Sequence, residues 1–156
     1  SQIQEAMDSM VTLNQILDLL SEEERNSIHA GTDITGFGLA GHAMQVCKAS
    51  GVSMKISFSN IPILEKALDS LRAENLTKAH RTNASYTKEF IKLDSALDKV
   101  ESQILFDPQT SGGLLLAVNP KYADVVLAKL KTRFKRASII GEIQVAGEDH
   151  GIQVAL

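Results

Sequence analysis

Residues 32–42 read Thr-Asp-Ile-Thr-Gly-Phe-Gly-Leu-Ala-Gly-His, and they set one carboxylate, two hydroxyls and three glycines at the start of an apolar helical pattern. Because glycine carries a conformational cost inside a helix, three of them at a helix start indicate that the backbone comes close to another group. Backbone amides at such a start favour a bound anion, and the carboxylate of Asp33 is suited to a cation beside it. The stretch therefore indicates a site for phosphate and metal.

A second stretch of similar composition lies further along the chain. Residues 105–116 read Leu-Phe-Asp-Pro-Gln-Thr-Ser-Gly-Gly-Leu-Leu-Leu, which predicts a strand, a polar turn and a second strand. Neither stretch has the spacing of the usual phosphate loop or of the dinucleotide-binding Gly-x-Gly-x-x-Gly fingerprint. The residues alone thus indicate a polar, glycine-rich, anion-binding surface, and they do not name a reaction.

Residues 29–42 and 106–115 together resemble the selenophosphate synthetase (selenide, water dikinase) family, and more narrowly its C-terminal domain. The resemblance extends over nearly the whole chain and includes Thr12, Leu13 and Asn14. Aminoimidazole ribonucleotide synthetase, thiamin-monophosphate kinase and the hydrogenase maturation dehydratase are ATP-using relatives with the same domain plan. Their counterparts of these two stretches read differently, so the resemblance favours the narrower family.

The resemblance implies a phosphotransferase that makes selenophosphate, AMP and phosphate from ATP, selenide and water. In that family the reactive cysteine or selenocysteine and most ATP contacts lie in an N-terminal domain, which nothing in these residues matches. We therefore expect residues 1–156 to be a single C-terminal domain that has no catalytic residue of its own and is inactive when isolated. Its expected partners are the N-terminal domain of the same chain, ATP and selenide, in a homodimeric full-length enzyme.

The resemblance also assigns roles to individual residues. Asp33 matches the family's metal-binding aspartate and is the predicted magnesium ligand, since magnesium prefers oxygen ligands and bridges them to nucleotide phosphates. The helix-capping interpretation of Asp33 and a purely structural role for the turn at residues 110–113 stay open, and Asp107 is expected to be structural. The predicted cofactor-binding residues are Thr32, Thr35, Gly36, Thr110, Ser111, Gly112 and Gly113.

Two alternative functions remain at this point. One is the C-terminal half of another ATP-using superfamily member that acts in hydrogenase maturation or purine synthesis. The other is a binding module without a catalytic partner. An upstream domain with a cysteine or selenocysteine in the source gene would decide between an enzyme and a module.

The composition excludes several classes of protein. With 156 residues and 44% hydrophobic content the chain can form one sizeable core, and its net charge of −3 argues against a nucleic-acid partner. The sequence has no secretion signal and no apolar run of about 20 residues, so we expect no membrane association. The single cysteine, Cys47, fits a reducing cytoplasm, and its helical apolar surroundings predict a buried, inert thiol. We expect His42 to be packed and hydrogen-bonded, and residues 129–136 to be a solvated basic helix end.

Periodicity predicts an α+β domain of the aminoimidazole ribonucleotide synthetase-like type, with helices packed on the faces of a mixed β-sheet. Ser21 and Glu24 form a capping-box pattern that starts a short helix, and residues 72–95 look the least ordered. A hairpin loop is expected at residues 147–151. The expected helices span residues 4–20, 36–50, a segment that begins at Pro62, and 121–134. The expected strands span residues 29–34, 52–58, 103–106, 114–118, 138–145 and 152–155.

Overall fold

The computed structural model describes residues 2–64, 66–146 and 151–156, and in this part of the chain six strands form two sheets with helices around them. The fold is α+β, as predicted. The helices are α1 (Gln2–Val11), α2 (Glu22–Asn26), α3 (Gly38–Ser50), α4 (Ala67–Arg72), α5 (Lys78–Thr87) and α6 (Pro120–Leu130). The strands are β1 (Ile28–Asp33), β2 (Val52–Ser57), β3 (Ile91–Leu93), β4 (Leu114–Val118), β5 (Gly141–Val145) and β6 (Ile152–Ala155).

The smaller sheet is the antiparallel pair of β1 and β4. Its register sets Ile28 opposite Val118 at one end and Asp33 opposite Leu114 at the other. Because Asp33 ends β1 and Leu114 begins β4, this pairing brings the two glycine-rich stretches together. The strands predicted at residues 29–34 and 114–118 are confirmed.

The larger sheet is mixed, with strand order β3-β6-β2-β5. Strand β2 runs parallel to β6 and antiparallel to β5. The strand predicted at residues 52–58 is present as Val52–Ser57, and its Met54 and Ile56 are buried together with Ile152 and Val154 of β6. The predicted hairpin between β5 and β6 is wrong, because these strands lie on opposite sides of β2; residues 147–150 of its loop lie outside the described residues.

The first helix is shorter than predicted. It ends at Val11, and a 3₁₀ turn at Leu17–Leu19 follows after an irregular segment. Several large apolar residues of this segment are exposed: Val11 and Leu13 retain 76% and 75% of their accessible surface. Ile16 and Leu20 are buried in this segment.

Helix α3 forms the centre of the main core. It begins at Gly38, two residues later than predicted, and ends at the predicted residue 50; Gly51 caps it with a left-handed backbone (φ 63°). Ala43, Met44 and Cys47 are fully buried, so the prediction of a buried thiol is confirmed. Burial raises the pKa of the Cys47 thiol, which keeps it in the less reactive protonated form.

Three regions differ from the periodicity-based predictions. The helix expected to begin at Pro62 starts only at Ala67, and residues 103–106 belong to a 3₁₀ helix (Glu101–Phe106) instead of a strand. Residues 72–95 contain α5 and β3. Periodicity did not detect α5 because its buried residues, His80, Asn83 and Thr87, are polar.

Helix α6 covers a second, smaller core, in which Val126 packs with Ile16 and Leu20. Pro120 stands in its first turn and Asn119 caps it, accepting a hydrogen bond from the N–H of Lys121. The helix ends at Leu130, earlier than the predicted 134. None of the helices in the described residues is long and apolar enough to cross a membrane.

The basic residues at the end of α6 and just after it are largely exposed, as predicted, and three of them also pair with acidic side chains. Lys129 Nζ lies 2.6 Å from Glu24, and Arg136 contacts Glu5. Arg133 binds both carboxylate oxygens of Asp18, at 2.9 and 2.6 Å. These pairs attach α1, α2 and the segment between them to the rest of the fold.

Candidate functional site

The two glycine-rich stretches form one hydrogen-bonded unit, which we call the motif junction (residues 34–38 and 107–113). The N–H of Ile34 donates to the carbonyl of Gly113 over 2.8 Å, and the N–H of Gly112 donates back to the carbonyl of Ile34 over 3.1 Å. The N–H of Gln109 donates to the carbonyl of Thr35, also over 3.1 Å. The loops therefore hold one another through their backbones.

Two glycines allow this close approach. A Cβ atom at Gly112 would lie 2.4 Å from the carbonyl oxygen of Ile34, and one at Gly38 would lie 2.9 Å from the carbonyl oxygens of Leu105 and Asp107. Gly38 also has a left-handed backbone, with φ of 69°. These glycines are needed for the two stretches to pack against each other, so the structural interpretation of residues 110–113 has direct support at Gly112.

Asp33 lies at the exposed end of β1, beside the motif junction. Its Oδ1 accepts a hydrogen bond of 2.8 Å from the Nδ2 of Asn14, and the same Nδ2 donates to the carbonyl of Gly112 over 2.9 Å. No group in the described residues donates to Oδ2 of Asp33. One carboxylate oxygen is thus held by the protein and the other is open to a ligand.

The chemistry of this carboxylate fits a hard divalent cation such as magnesium, which takes oxygen ligands and keeps several of them from water or phosphate. The fit is partial, because no group of three or more histidine, cysteine, aspartate or glutamate side chains in the described ranges can hold a metal ion. Asp33 can therefore supply one ligand of a site whose other ligands come from a nucleotide, water or another part of the protein.

Thr35 and Gly36 are exposed in the loop before α3, and the buried His42 is hydrogen-bonded to Thr35. The Nε2 of His42 accepts the backbone N–H of Thr35 over 3.1 Å and lies at the same distance from its Oγ1. Burial lowers the pKa of His42, while the charge of Asp33 acts in the opposite direction. The prediction of a packed, hydrogen-bonded histidine is confirmed.

The first turn of α3 is less accessible than the sequence indicated. Residues 38–41 are buried, so the amides of this turn are covered by the chain itself. Among the predicted cofactor-binding residues, Thr35, Gly36, Thr110, Ser111 and Gly113 are exposed, while Thr32 and Gly112 are half-buried. Strand pairing and backbone hydrogen bonds bring the two stretches that carry these residues together, and their role toward a nucleotide stays a prediction.

Helix α5 is hydrogen-bonded to both glycine-rich stretches through Asn83, a contact that the sequence pattern did not predict. The buried Nδ2 of Asn83 donates to the carbonyls of Gly36, over 2.8 Å, and of Phe106, over 3.0 Å. One side chain thereby ties both stretches to α5. This helix has no periodic signal in the sequence, because its buried residues are polar and form no apolar stripe.

Asp107 faces α5 rather than the exposed carboxylate of Asp33. Its Oδ1 lies 3.1 Å from Nε2 of the buried His80, at ion-pair distance but outside hydrogen-bond geometry. Burial raises the pKa of Asp107, and the nearby His80 opposes this rise. The contact with His80 is consistent with the structural role predicted for Asp107.

Comparison with known proteins identifies the family of this chain. Residues 3–153 match the family described as AIR synthase related protein, C-terminal domain. The chain belongs to this family. The selenide, water dikinase of Bdellovibrio bacteriovorus is 50% identical over 141 residues, and that of Nitrosomonas eutropha is 48% identical over the same length. Each alignment covers 90% of this chain and 40% of the relative, so the chain spans less than half the length of these relatives.

Solved structures of this family's fold are also similar. A structure of the HypE–HypF complex matches 97% of this chain and 37% of its own with a TM-score of 0.59 and 18% identity. The hydrogenase maturation protein HypE in complex with ATP matches 97% of this chain and 36% of its own, with a TM-score of 0.55 and 19% identity. At these identities the similarity supports the α+β fold and nothing finer.

Proposed function

We propose that this chain is the C-terminal domain of a selenide, water dikinase, an enzyme that makes selenophosphate, AMP and phosphate from ATP, selenide and water. The similarity to two relatives of that name supports the assignment. The observation that carries the role of this domain is the exposed Asp33 carboxylate beside the hydrogen-bonded motif junction. A cytoplasmic location, a homodimeric full-length enzyme and an N-terminal domain with the reactive group are parts of the same proposal.

In this proposal Asp33 gives one ligand to magnesium from one wall of an interdomain cleft. Bound magnesium would neutralise the charge of the ATP phosphates and help to align them. Thr35, Gly36, Thr110 and Ser111 are exposed next to Asp33 and would line the same wall. None of these groups is a nucleophile in the reaction, so the isolated chain should form no AMP from ATP and selenide.

The sharpest test replaces Asp33 in the full-length protein that contains this chain. Asp33→Asn removes the charge and keeps the shape, and it should lower kcat for selenide-dependent AMP formation by about 100-fold or more, since a metal contributes several kcal/mol to such transition states. The melting temperature should change little because the carboxylate is exposed.

Asp124→Asn is the matched control, since Asp124 is an exposed aspartate on α6. We expect that variant to retain the kinetics of the unaltered protein. Near-normal turnover of Asp33→Asn would refute the ligand role. Turnover of ATP with another acceptor, and none with selenide, would refute the selenium assignment and favour another ATP-using member of the superfamily.

A further inference from the structure

Asn14 is the residue that connects the exposed carboxylate to the second glycine-rich stretch. Its Nδ2 lies 2.8 Å from Oδ1 of Asp33 and 2.9 Å from the carbonyl oxygen of Gly112. Both partners are acceptors, so both hydrogens of the amide are used and the orientation of the amide group is fixed. The side chain therefore bridges the end of β1 and the turn before β4, and its partner Gly112 lies 98 positions away in the sequence.

The backbone around Asn14 is itself anchored, although it belongs to no helix or strand. Ile16 is buried in the second core, and Arg133 donates to the carbonyl of Gln15 over 2.7 Å. Arg133 also binds Asp18 through two hydrogen bonds. Apolar and polar contacts therefore both hold this segment, so the backbone of Asn14 has a defined position.

We propose that Asn14 is a positioning residue for the metal-binding carboxylate of Asp33. This inference rests on the proposed function, because it assigns a role toward the cation that Asp33 would hold. By donating to Oδ1, Asn14 fixes the rotation of the Asp33 carboxylate. The other oxygen, Oδ2, then keeps one orientation in which it can bind the cation. Groups that hydrogen-bond to metal ligands in this way commonly change metal affinity by about 10- to 100-fold when they are removed.

The bond to Gly112 gives Asn14 a second effect on the same site. It couples the carboxylate to the turn at residues 110–113, so a shift of that turn would be transmitted to Asp33. Removal of a side chain that only stabilised the fold would change stability and leave the metal affinity of Asp33 as it was. Metal affinity and fold stability can therefore be measured separately to distinguish positioning from structure.

The experiment uses the full-length protein, with Mn²⁺ as a spectroscopic substitute for magnesium and a non-hydrolysable ATP analogue. Electron paramagnetic resonance measures free and bound Mn²⁺ without turnover. Asn14→Ala should weaken Mn²⁺ binding by about 10- to 100-fold and raise the magnesium concentration for half-maximal AMP formation by a similar factor. Asn14→Leu keeps the branched shape of the side chain without a donor and should weaken binding by the same factor, so it replaces Asn14→Ala if that variant folds poorly.

Asn119→Ala is the matched control, because Asn119 also bonds one backbone group and lies far along the chain as the cap of α6. It should change stability and leave Mn²⁺ binding unaltered. In the double variant with Asp33→Asn, removal of Asn14 should cause no further loss of Mn²⁺ binding. Unchanged Mn²⁺ binding in both Asn14 variants, with a loss in Asp33→Asn, would overturn the positioning role alone. Unchanged binding in Asp33→Asn as well would overturn the proposed function.

Discussion

The backbone N–H of Thr35 donates a hydrogen bond to Nε2 of His42 over 3.1 Å. Thr35 lies in an exposed loop, whereas the side chain of His42 is only 8% exposed. Since Nε2 accepts this bond, it carries no proton, and the neutral ring holds its proton on Nδ1. Protonation of Nε2 would replace the acceptor with a donor and break the bond to the loop. The shape of the loop before α3 thus depends on an uncharged histidine.

This relationship predicts a pH dependence of stability. Burial lowers the pKa of His42 in the folded protein below the value of about 6.5 expected in the unfolded chain. As pH falls through 6.5, the unfolded chain takes up the proton first, so the free energy of unfolding decreases until the folded pKa is reached. His42→Gln should flatten the pH dependence of denaturant unfolding between pH 7 and pH 5.

The same substitution at His29, which is exposed on β1, provides the control for this measurement. His29→Gln should leave the slope of stability against pH as it is in the unaltered protein. An equal slope in His42→Gln and the unaltered protein would contradict the role given to His42.

A comparison of two glycines with the same backbone conformation measures how closely the two glycine-rich stretches pack. Gly38 and Gly51 both have left-handed φ values, 69° and 63°, so alanine at either position should cost about 1–2 kcal/mol in backbone strain. A Cβ at Gly38 would also overlap two carbonyl oxygens, whereas a Cβ at Gly51 meets nothing within 4 Å. Gly38→Ala should therefore destabilise the protein by at least about 1 kcal/mol more than Gly51→Ala.

Chemical denaturation of both variants tests this difference directly. Gly113→Ala serves as a further comparison, because Gly113 has no left-handed backbone and no close neighbour for a Cβ. Equal destabilisation by Gly38→Ala and Gly51→Ala would mean that the two stretches are less tightly packed than the structure indicates.

The amide of Asn83 supports two carbonyls at once, and its loss should be costly. Asn83→Ala leaves the carbonyls of Gly36 and Phe106 without their donor, which should lower the free energy of unfolding by about 2 kcal/mol or more. For a domain of this size each kcal/mol corresponds to about 2–4 °C in melting temperature. Thr82→Ala on the exposed face of α5 should change stability by no more than about 0.5 kcal/mol, because its hydroxyl bonds only its own helix.

Local patterns predicted those parts of the fold that local chemistry determines. The capping box of Ser21 and Glu24 is present, Gly51 ends α3, and alternation along β2 identifies its buried face. The predictions were wrong where distant contacts decide. The apolar residues 104–106 of the segment predicted as a strand are compatible with a strand or a helix, and the placement of β5 and β6 on either side of β2 has no local signal.

The candidate site was predictable only in part, for the same reason. Asp33 and the two glycine-rich stretches were identified from their composition and from the family resemblance. The bridging amides of Asn14 and Asn83 could not be assigned, since their partners lie far away in the sequence. A polar side chain that supports a loop from inside the fold has no periodicity by which sequence reasoning can recognise it.

The reactivity of the buried Cys47 thiol can report how often the structure around α3 unfolds transiently. Its side chain is fully buried and burial raises its pKa, so alkylation by iodoacetamide at neutral pH should require transient unfolding around α3. Mass spectrometry of the Cys47 peptide should find negligible alkylation in the folded protein and rapid alkylation in denaturant. If opening is global and reversible, a variant such as Gly38→Ala should accelerate alkylation about tenfold for each 1.4 kcal/mol of lost stability. Rapid alkylation of the folded protein, unchanged by Gly38→Ala, would mean that the thiol is accessible without unfolding and that α3 is not the closed centre of the core.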